Sequence, residues 1–418
     1  MTSQSERPHA RAGRSVRLAY LVSHPIQYQA PLLRRIAQEP DIDLTVLFGS
    51  DFSVRGYSDK GFGGVGVKWD VPLLDGYKHQ FLPRLRDGQD VSFATPMNHG
   101  ILSRLRGSGA APGFDVLWVH GYASVNAMHG MIAAKALGIP VLLRAESWLR
   151  DRGRSPLKLA LKNLFFAGLE SLVDAVLPIG SLNAEYWHHY FAGNVPQFLM
   201  PYAVDNHYFA QRARDAQPTR ANLQTELSLD PARPIILFAS KLQSRKHCDH
   251  LLEAYAHLSP APGVEPHPYL VIVGDGDERT ALERQAAATG FSSIRFCGFR
   301  NQSELPAFFS LATVFVLPSR HEPWGLIVNE VMNAARPVIV SDDVGCAPDL
   351  IADGVNGCIY PVGDIAALTA ALRRVLDTPG AAEAMGQRAF ERIQSWSFEE
   401  DVTGLRGALA HVVPGFVA

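Results

Sequence analysis

Short runs of apolar residues punctuate this chain, and between them apolar residues recur every three or four positions. VRLAYLVSH opens the series as a buried-strand run, followed by PLLRRIAQ at helical spacing. DLTVLFG (43–49), DVLWVHG (115–121), IPVLLRAES (139–147) and SLVDAVLPIG (171–180) repeat the strand pattern. NAMHGMIAAKALG and SLNAEYWHHYF carry the spacing of helices between them. QFLMPYAVD reads as strand-like and ends near Asp205, where the polar stretch QRARDAQPTRANLQ marks a shift in composition. A second series then runs through RPIILFAS (233–240), PYLVIVGDG (268–276), SIRFCGF (293–299), TVFVLPS (313–319) and RPVIVSD (336–342). Helical patterns such as DHLLEAYAHL, TALERQAAA and AALTAALRRVLD separate these runs.

Strands alternating with helices predict parallel sheets covered on both faces. Two such series predict an α/β chain of two doubly wound, Rossmann-like domains, residues 16–204 and 205–395, facing each other across a cleft. Residues 1–15 read as a polar tail, and the Gly- and Arg-rich segment 54–112 as loops with an extra strand or helix. Ligands of such sheets bind beyond the carboxyl ends of the strands, so the cleft is where chemistry is expected.

Composition narrows the function. The chain has 418 residues, 47% apolar and 19% charged, with net charge −2, which points to a globular protein without a nucleic-acid surface. The four cysteines, Cys248, Cys297, Cys346 and Cys358, form no CxxC pair and suit free thiols in a reducing cytoplasm. No apolar run reaches the ~18 residues of a membrane span. The N-terminal residues lack the apolar core of a secretory signal.

Candidate chemistry collects at strand ends. In SRHEPWG, between TVFVLPS and the helical LIVNEVMNAA, Glu322 precedes the helix and Glu330 falls in its second turn. That puts the two carboxyls roughly 8 Å apart along the axis at ~1.5 Å per residue. Carboxylates accept hydrogen bonds from vicinal hydroxyls. The N–H groups of Gly325, Leu326 and Ile327 are first-turn donors suited to an anion. FASKLQSRKH places Lys241, Arg245 and Lys246 after another strand, where cations neutralise a diphosphate leaving group. Gly274 and Gly276 in VGDGDE permit a tight turn beside a ligand. In the first series, SHPIQYQAP offers His24, Gln27 and Tyr28, DVLWVHG ends on His120, and LRAES ends on Arg144 and Glu146. Each also has a plain structural reading: a basic loop, a turn, a satisfied histidine.

HEPWGLIVNEVMNAARPVIVSD resembles the Glu-x7-Glu signature of the family 4, group 1 retaining glycosyltransferases of GT-B fold. ASKLQSRKH, IVGDGDE, FCGF, LATVFVLPS, DVGCAPDLI and DGVNGCIYPVGD resemble further stretches of that family in order and spacing, over residues 200–395. SHPIQYQAPLLRRIA is similar to a subgroup of bacterial sugar transferases. The resemblance implies two Rossmann-like domains and sugar transfer from a nucleotide-sugar donor, UDP favoured over GDP, to a glycan, lipid-linked or small-molecule hydroxyl in polysaccharide or glycoconjugate synthesis. It implies that Glu330 holds the ribose, Glu322 the donor sugar with the Gly325–Leu326 backbone, and Lys241 and Lys246 the diphosphate. It implies that His120 lines the sugar pocket, with Gln27 in place of a common Gly-Gly and His24, Tyr28, Arg144 and Glu146 on the acceptor side. It implies no metal and no other cofactor. Lys241 stands where the family has arginine, and Asp349 where glutamate is common. The helical run SWSFEEDVTGLRGALAHVV is then expected to cross back, adding residues from about 396 to 418 to the first domain. Finally, Arg152–Leu172 mixes Arg152, Arg154, Lys158 and Lys162 with Leu and Phe: a peripheral helix on the inner membrane face, or one half-buried in the fold. A nucleotide-sugar epimerase, a phosphorylase and a non-catalytic sugar binder stay open as rival classes.

Overall fold

Six strands of the first half pair in parallel: β1 Val16–Val22, β2 Ile42–Phe48, β3 Lys78–Phe81, β4 Val116–His120, β5 Val141–Arg144 and β6 Ala175–Val176. The computed structural model describes residues 15–418 apart from Gln89, 109–110, 151–154 and Pro262, so the tail expected over 1–15 lies outside the described residues but for Ser15. The sheet order is β6-β5-β4-β1-β2-β3. The second half repeats it as β9-β8-β7-β10-β11-β12. Its strands are β7 Ile235–Ala239, β8 Tyr269–Val273, β9 Ile294–Phe296, β10 Val314–Leu317, β11 Val338–Ser341 and β12 Gly357–Tyr360. In each, the order reverses between the first and fourth strands, where a doubly wound sheet opens a crevice for ligands.

Continuous apolar runs are what a sheet buried on both faces demands. Side chains alternate along a strand. Leu18, Tyr20 and Val22 of β1 therefore pack with Leu32, Leu33 and Ile36 of helix α1 (Gln29–Ile36), while Ala19 and Leu21 pack with Ala127 and Met131 on the opposite face. In β7, Ile235, Leu237 and Ala239 face one core and Ile236 and Phe238 the other.

One expectation changes, and two further stretches take a structure that was not read. QFLMPYAVD forms no strand beyond a single bridge of Gln197 with Val176, because it runs past a β6 of only two residues. The polar stretch after Asp205 is helical, at Asn206–Asp215 and Gln217–Glu226, the first capped by the Asp205 carboxylate on Tyr208 N–H (2.8 Å). A short additional strand, β12, closes the second sheet in DGVNGCIYPVGD, where no strand was read. The irregular 54–112 segment supplies β3 and a hairpin, Tyr57–Asp59 with Val65–Val67.

Helices α2 (Pro156–Glu170), α3 (Leu326–Met332) and α4 (Phe398–Val412) bear on function. α4 opens with a capping box: Ser397 Oγ accepts from Glu399 N–H, and Glu400 accepts from Ser397 N–H (2.8 Å). It packs against α1 through Val402, Leu405, Ala408 and Leu409. Arg35 pairs with Glu399 (2.7 Å), and Arg406 with Glu39 and Asp41 (2.9 and 2.8 Å). Among the described residues, no helix is long and apolar enough to cross a membrane.

Candidate functional site

The loop from β10 to α3 turns on Gly325, whose φ of +94° is left-handed and whose added Cβ would stand 3.1 Å from Leu317 and 3.2 Å from Val344. Only glycine fits there without strain. Backbone bonds from Glu322 N–H to Asp343 O (3.1 Å) and from Gly345 N–H to Glu322 O (2.8 Å) fix the loop. The Glu322 carboxylate takes the buried Lys246 ammonium and, at 3.4 Å, Arg245. Burial pulls Lys246 below its ordinary value, and Glu322 acts against that pull. Glu330 is the fifth residue of α3 and has no side-chain partner among the described residues. Burial pushes its carboxyl up to about 8. A carboxyl raised in the folded state contributes stability that is fully present below the unfolded value near 4.5 and is lost as pH rises through 8. Thermal scans from pH 5 to 9 are therefore expected to show wild-type Tm falling relative to Glu330→Gln across that window. Parallel curves would contradict the burial.

Lys241, Lys246, Glu322, Gly325, Leu326 and Glu330 line one cavity of about 280 Å³, with Gly274 at its floor. Gln27, Tyr28, Phe62 and Trp69 close it from the first half. Gly274 has φ +135°, and a Cβ there would lie 1.9 Å from the Ser240 carbonyl, so this glycine serves backbone approach. Gly274→Ala should destabilise by at least the ~1–3 kcal/mol of a strained backbone residue, read as a lower urea midpoint. The sequence reading missed Asp59, whose carboxylate holds Lys241 at 2.9 Å, and Phe62, whose ring lies 4.7 Å from that ammonium. Both ride on the 57–67 hairpin. Its Gly63 reaches so close to Gly276 that an added Cβ would be 3.3 Å away. The glycine-flanked YSDKGFGG is the signal that marks this hairpin.

On the facing side, His120 ends β4 and lines a second cavity of about 410 Å³ with Ser23, Tyr122, Glu146 and Pro323, the neighbour of Glu322. Desolvation drives His120 down to about 3, so it is a neutral imidazole. Gln29, unremarked in the sequence, sits 3.2 Å from its Nε2 and accepts from Tyr20 (3.0 Å). Tyr28, of the first cavity, donates to Glu146, of the second (3.0 Å), and Tyr202 donates to the same carboxylate. His24 packs on Phe52 (4.4 Å) beside Ser23 Oγ (2.8 Å), and burial pushes it down to about 4.

Arg144 is a correction. Its side chain is buried and turned into the fold, donating to the carbonyls of Met200 (2.8 Å) and Pro201 (2.9 Å) and pairing with Asp401 of α4 (3.0 Å). All three contacts use one terminal nitrogen, and the buried Nε has no partner among the described residues. The structure also gathers His247, Asp249 and His250, with imidazoles stacked at 4.1 Å and ligand atoms within 4.8 Å of one another. The sequence reading named no metal ligands.

Two parallel sheets of this order, with their strand ends turned to a shared set of cavities, are the GT-B fold. Residues 219–392 match the family described as Glycosyl transferases group 1. Alpha-D-kanosaminyltransferase of Streptomyces kanamyceticus is 34% identical over 176 residues, covering 42% of this chain and 44% of that protein. D-inositol 3-phosphate glycosyltransferase of Streptomyces avermitilis is 26% identical, covering 72% of this chain and 66% of its own length. The chain spans 38–54% of the length of the first five curated relatives it matches. A glycosyltransferase structure from Rickettsia africae superposes with a TM-score of 0.71 at 13% identity, over 96% of this chain and 100% of that one. Anabaena HepE in complex with UDP and glucose gives 0.65 at 15% identity, over 94% and 99%. At these identities the likeness is one of fold.

Proposed function

We propose that the chain is a retaining glycosyltransferase that moves a sugar from a nucleotide-sugar donor, a UDP-sugar first, to an acceptor hydroxyl. The observation that carries this reading is the single cavity in which Lys241, Lys246, Glu322 and Glu330 converge beneath the Gly325 turn, inside the group 1 segment. Glu330 takes the ribose hydroxyls; as a largely protonated acid near neutrality it both donates and accepts. Lys241 and Lys246 exchange their carboxylate partners for the diphosphate. Glu322, released from Lys246, accepts from the donor sugar. The acceptor oxygen then bonds to the anomeric carbon on the face the diphosphate leaves. The bond from that carbon to the diphosphate oxygen breaks, its electron pair stays on that oxygen, and the acceptor proton passes to it. His120, held neutral beside Glu146, lines the pocket where this happens. The residues described supply the cations this chemistry needs, so we propose that it runs without a metal.

The test is a thermal-shift panel with UDP, GDP, ADP, dTDP and inorganic phosphate, without metal, on wild type and Glu330→Ala. A ligand of the folded state stabilises it by mass action, by about 2.7 kcal/mol at a hundred times Kd, and so raises Tm. The expected result is a rise with one nucleotide that Glu330→Ala loses. A response to phosphate alone would favour a phosphorylase. Conversion of a bound nucleotide sugar without an acceptor would favour an epimerase. No response at all would favour a non-catalytic homologue.

A further inference from the structure

α2 places apolar side chains where a globular fold has no use for them. Of its residues only Phe166 and Leu169 are buried. Leu157, Leu161, Leu164 and Gly168 recur at helical spacing on the opposite side, with the leucines 71%, 58% and 71% exposed. Phe165 flanks this stripe at 39%, and Leu149, next to the wall residue Trp148, is also exposed. Residues 155–169 contain Lys158 and Lys162 and no acidic residue, in a chain whose net charge is −2. Lys162 is held over the rings of Tyr190, Tyr186 and Phe166 at 4.5, 5.0 and 5.8 Å. Arg152 and Arg154 lie outside the described residues.

Beneath α2 lies a pocket of about 570 Å³ whose walls include Lys158, Lys162, Trp148, Tyr122, Ser147 and Glu146. The last three also line the His120 cavity. A path therefore runs from the exposed leucines, past two ammonium groups, to the candidate reaction centre.

We propose that α2 lies in the plane of an anionic lipid bilayer and that the pocket beneath it receives the headgroup of a membrane-anchored acceptor bearing a phosphate group. The second half of this proposal rests on the glycosyl-transfer reading. An amphipathic helix with lysines beside an apolar face is what an anionic surface recruits. At 15 residues α2 rises about 22 Å, short of a ~30 Å hydrocarbon core, so it lies in the surface. A bilayer fits better than a second copy of the chain: a two-fold pairing of α2 with itself brings like lysines together.

The measurement is flotation of the full chain with vesicles of 70:30 phosphatidylcholine:phosphatidylglycerol and with phosphatidylcholine alone. Light-scattering mass and the UDP thermal shift are read on the same samples. Wild type is expected to float with the anionic vesicles only, less so at high salt. Lys158→Glu should bind at least about fivefold more weakly, from the ~1 kcal/mol contributed per lysine near such a surface. A variant with Leu157→Asp, Leu161→Asp and Leu164→Asp should lose flotation with its UDP shift intact, since these side chains are solvent-exposed. No flotation of wild type overturns the proposal, as does equal binding to both vesicles. A dimer that the triple variant dissolves, without vesicle binding, assigns the face to a second copy and overturns it too. Flotation without any nucleotide shift supports the membrane surface and counts against the transferase reading instead.

Discussion

Glu322→Gln should lower turnover about a hundredfold or more, the scale of losing one positioning contact at a reacting centre, while leaving the UDP-induced rise in Tm at least as large as in wild type. The two readouts separate because the proposed reading gives Glu322 two partners in the cycle. In the structure its carboxylate neutralises Lys246, a buried ammonium that desolvation already depresses. Removing that carboxylate leaves a buried cation unpaired, so the unliganded variant should melt earlier. A diphosphate then meets a Lys246 it no longer has to share, which favours nucleotide binding. What is lost is the acceptor for the donor sugar's hydroxyls, a contact that bare UDP never makes. Steady-state kinetics with a UDP-sugar and thermal shifts with UDP check both halves. Equal loss of binding and turnover would place Glu322 with the nucleotide instead.

Asp401→Ala should cost about 3–5 kcal/mol of stability, the range for removing one partner of a buried pair. Asp401 and Arg144 are nearly inaccessible and meet at 3.0 Å between α4 and the end of β5. Burial pushes the Asp401 carboxyl up to about 7 against the pull of Arg144. Urea unfolding should show a lower midpoint. The double variant Arg144→Met with Asp401→Leu should recover part of the loss only, because Arg144 also satisfies two backbone carbonyls that methionine leaves unpaired. An undiminished midpoint for Asp401→Ala would mean that the pair is not buried in solution.

Much of this was legible in the chain. Periodicity located most strands, since a doubly covered strand needs an unbroken apolar run and little else produces one. The Glu322 and Glu330 spacing and the Lys241 and Lys246 loop survive as neighbours of one cavity because they flank strand ends of a single sheet, where local sequence decides position. The failures share a cause. Arg144 looked like a residue met by ligands because it ends a strand, but which way a side chain turns there depends on what comes from elsewhere, here Asp401, 257 positions away. Asp59, Phe62 and Trp69 were passed over for the converse reason. They lie in an irregular segment with no periodicity to read, and reach the second half through the hairpin against Gly276 and through the residues just after it, where Lys68 O accepts from Asn301 (2.7 Å).

The packing of α4 on α1 has a consequence for how the molecule is made. The first sheet ends at Val176, yet its outer layer awaits Phe398–Val412, which begins 222 positions later (398 − 176). At about 5–20 residues per second, a ribosome takes roughly 10–45 s to deliver them. During that interval Leu32, Leu33 and Ile36 lack part of their cover and Arg144 lacks its counter-charge. The second sheet, whose strands are contiguous in the chain, is free to close first. Biogenesis then runs opposite to the order of synthesis, with the earlier half completed last.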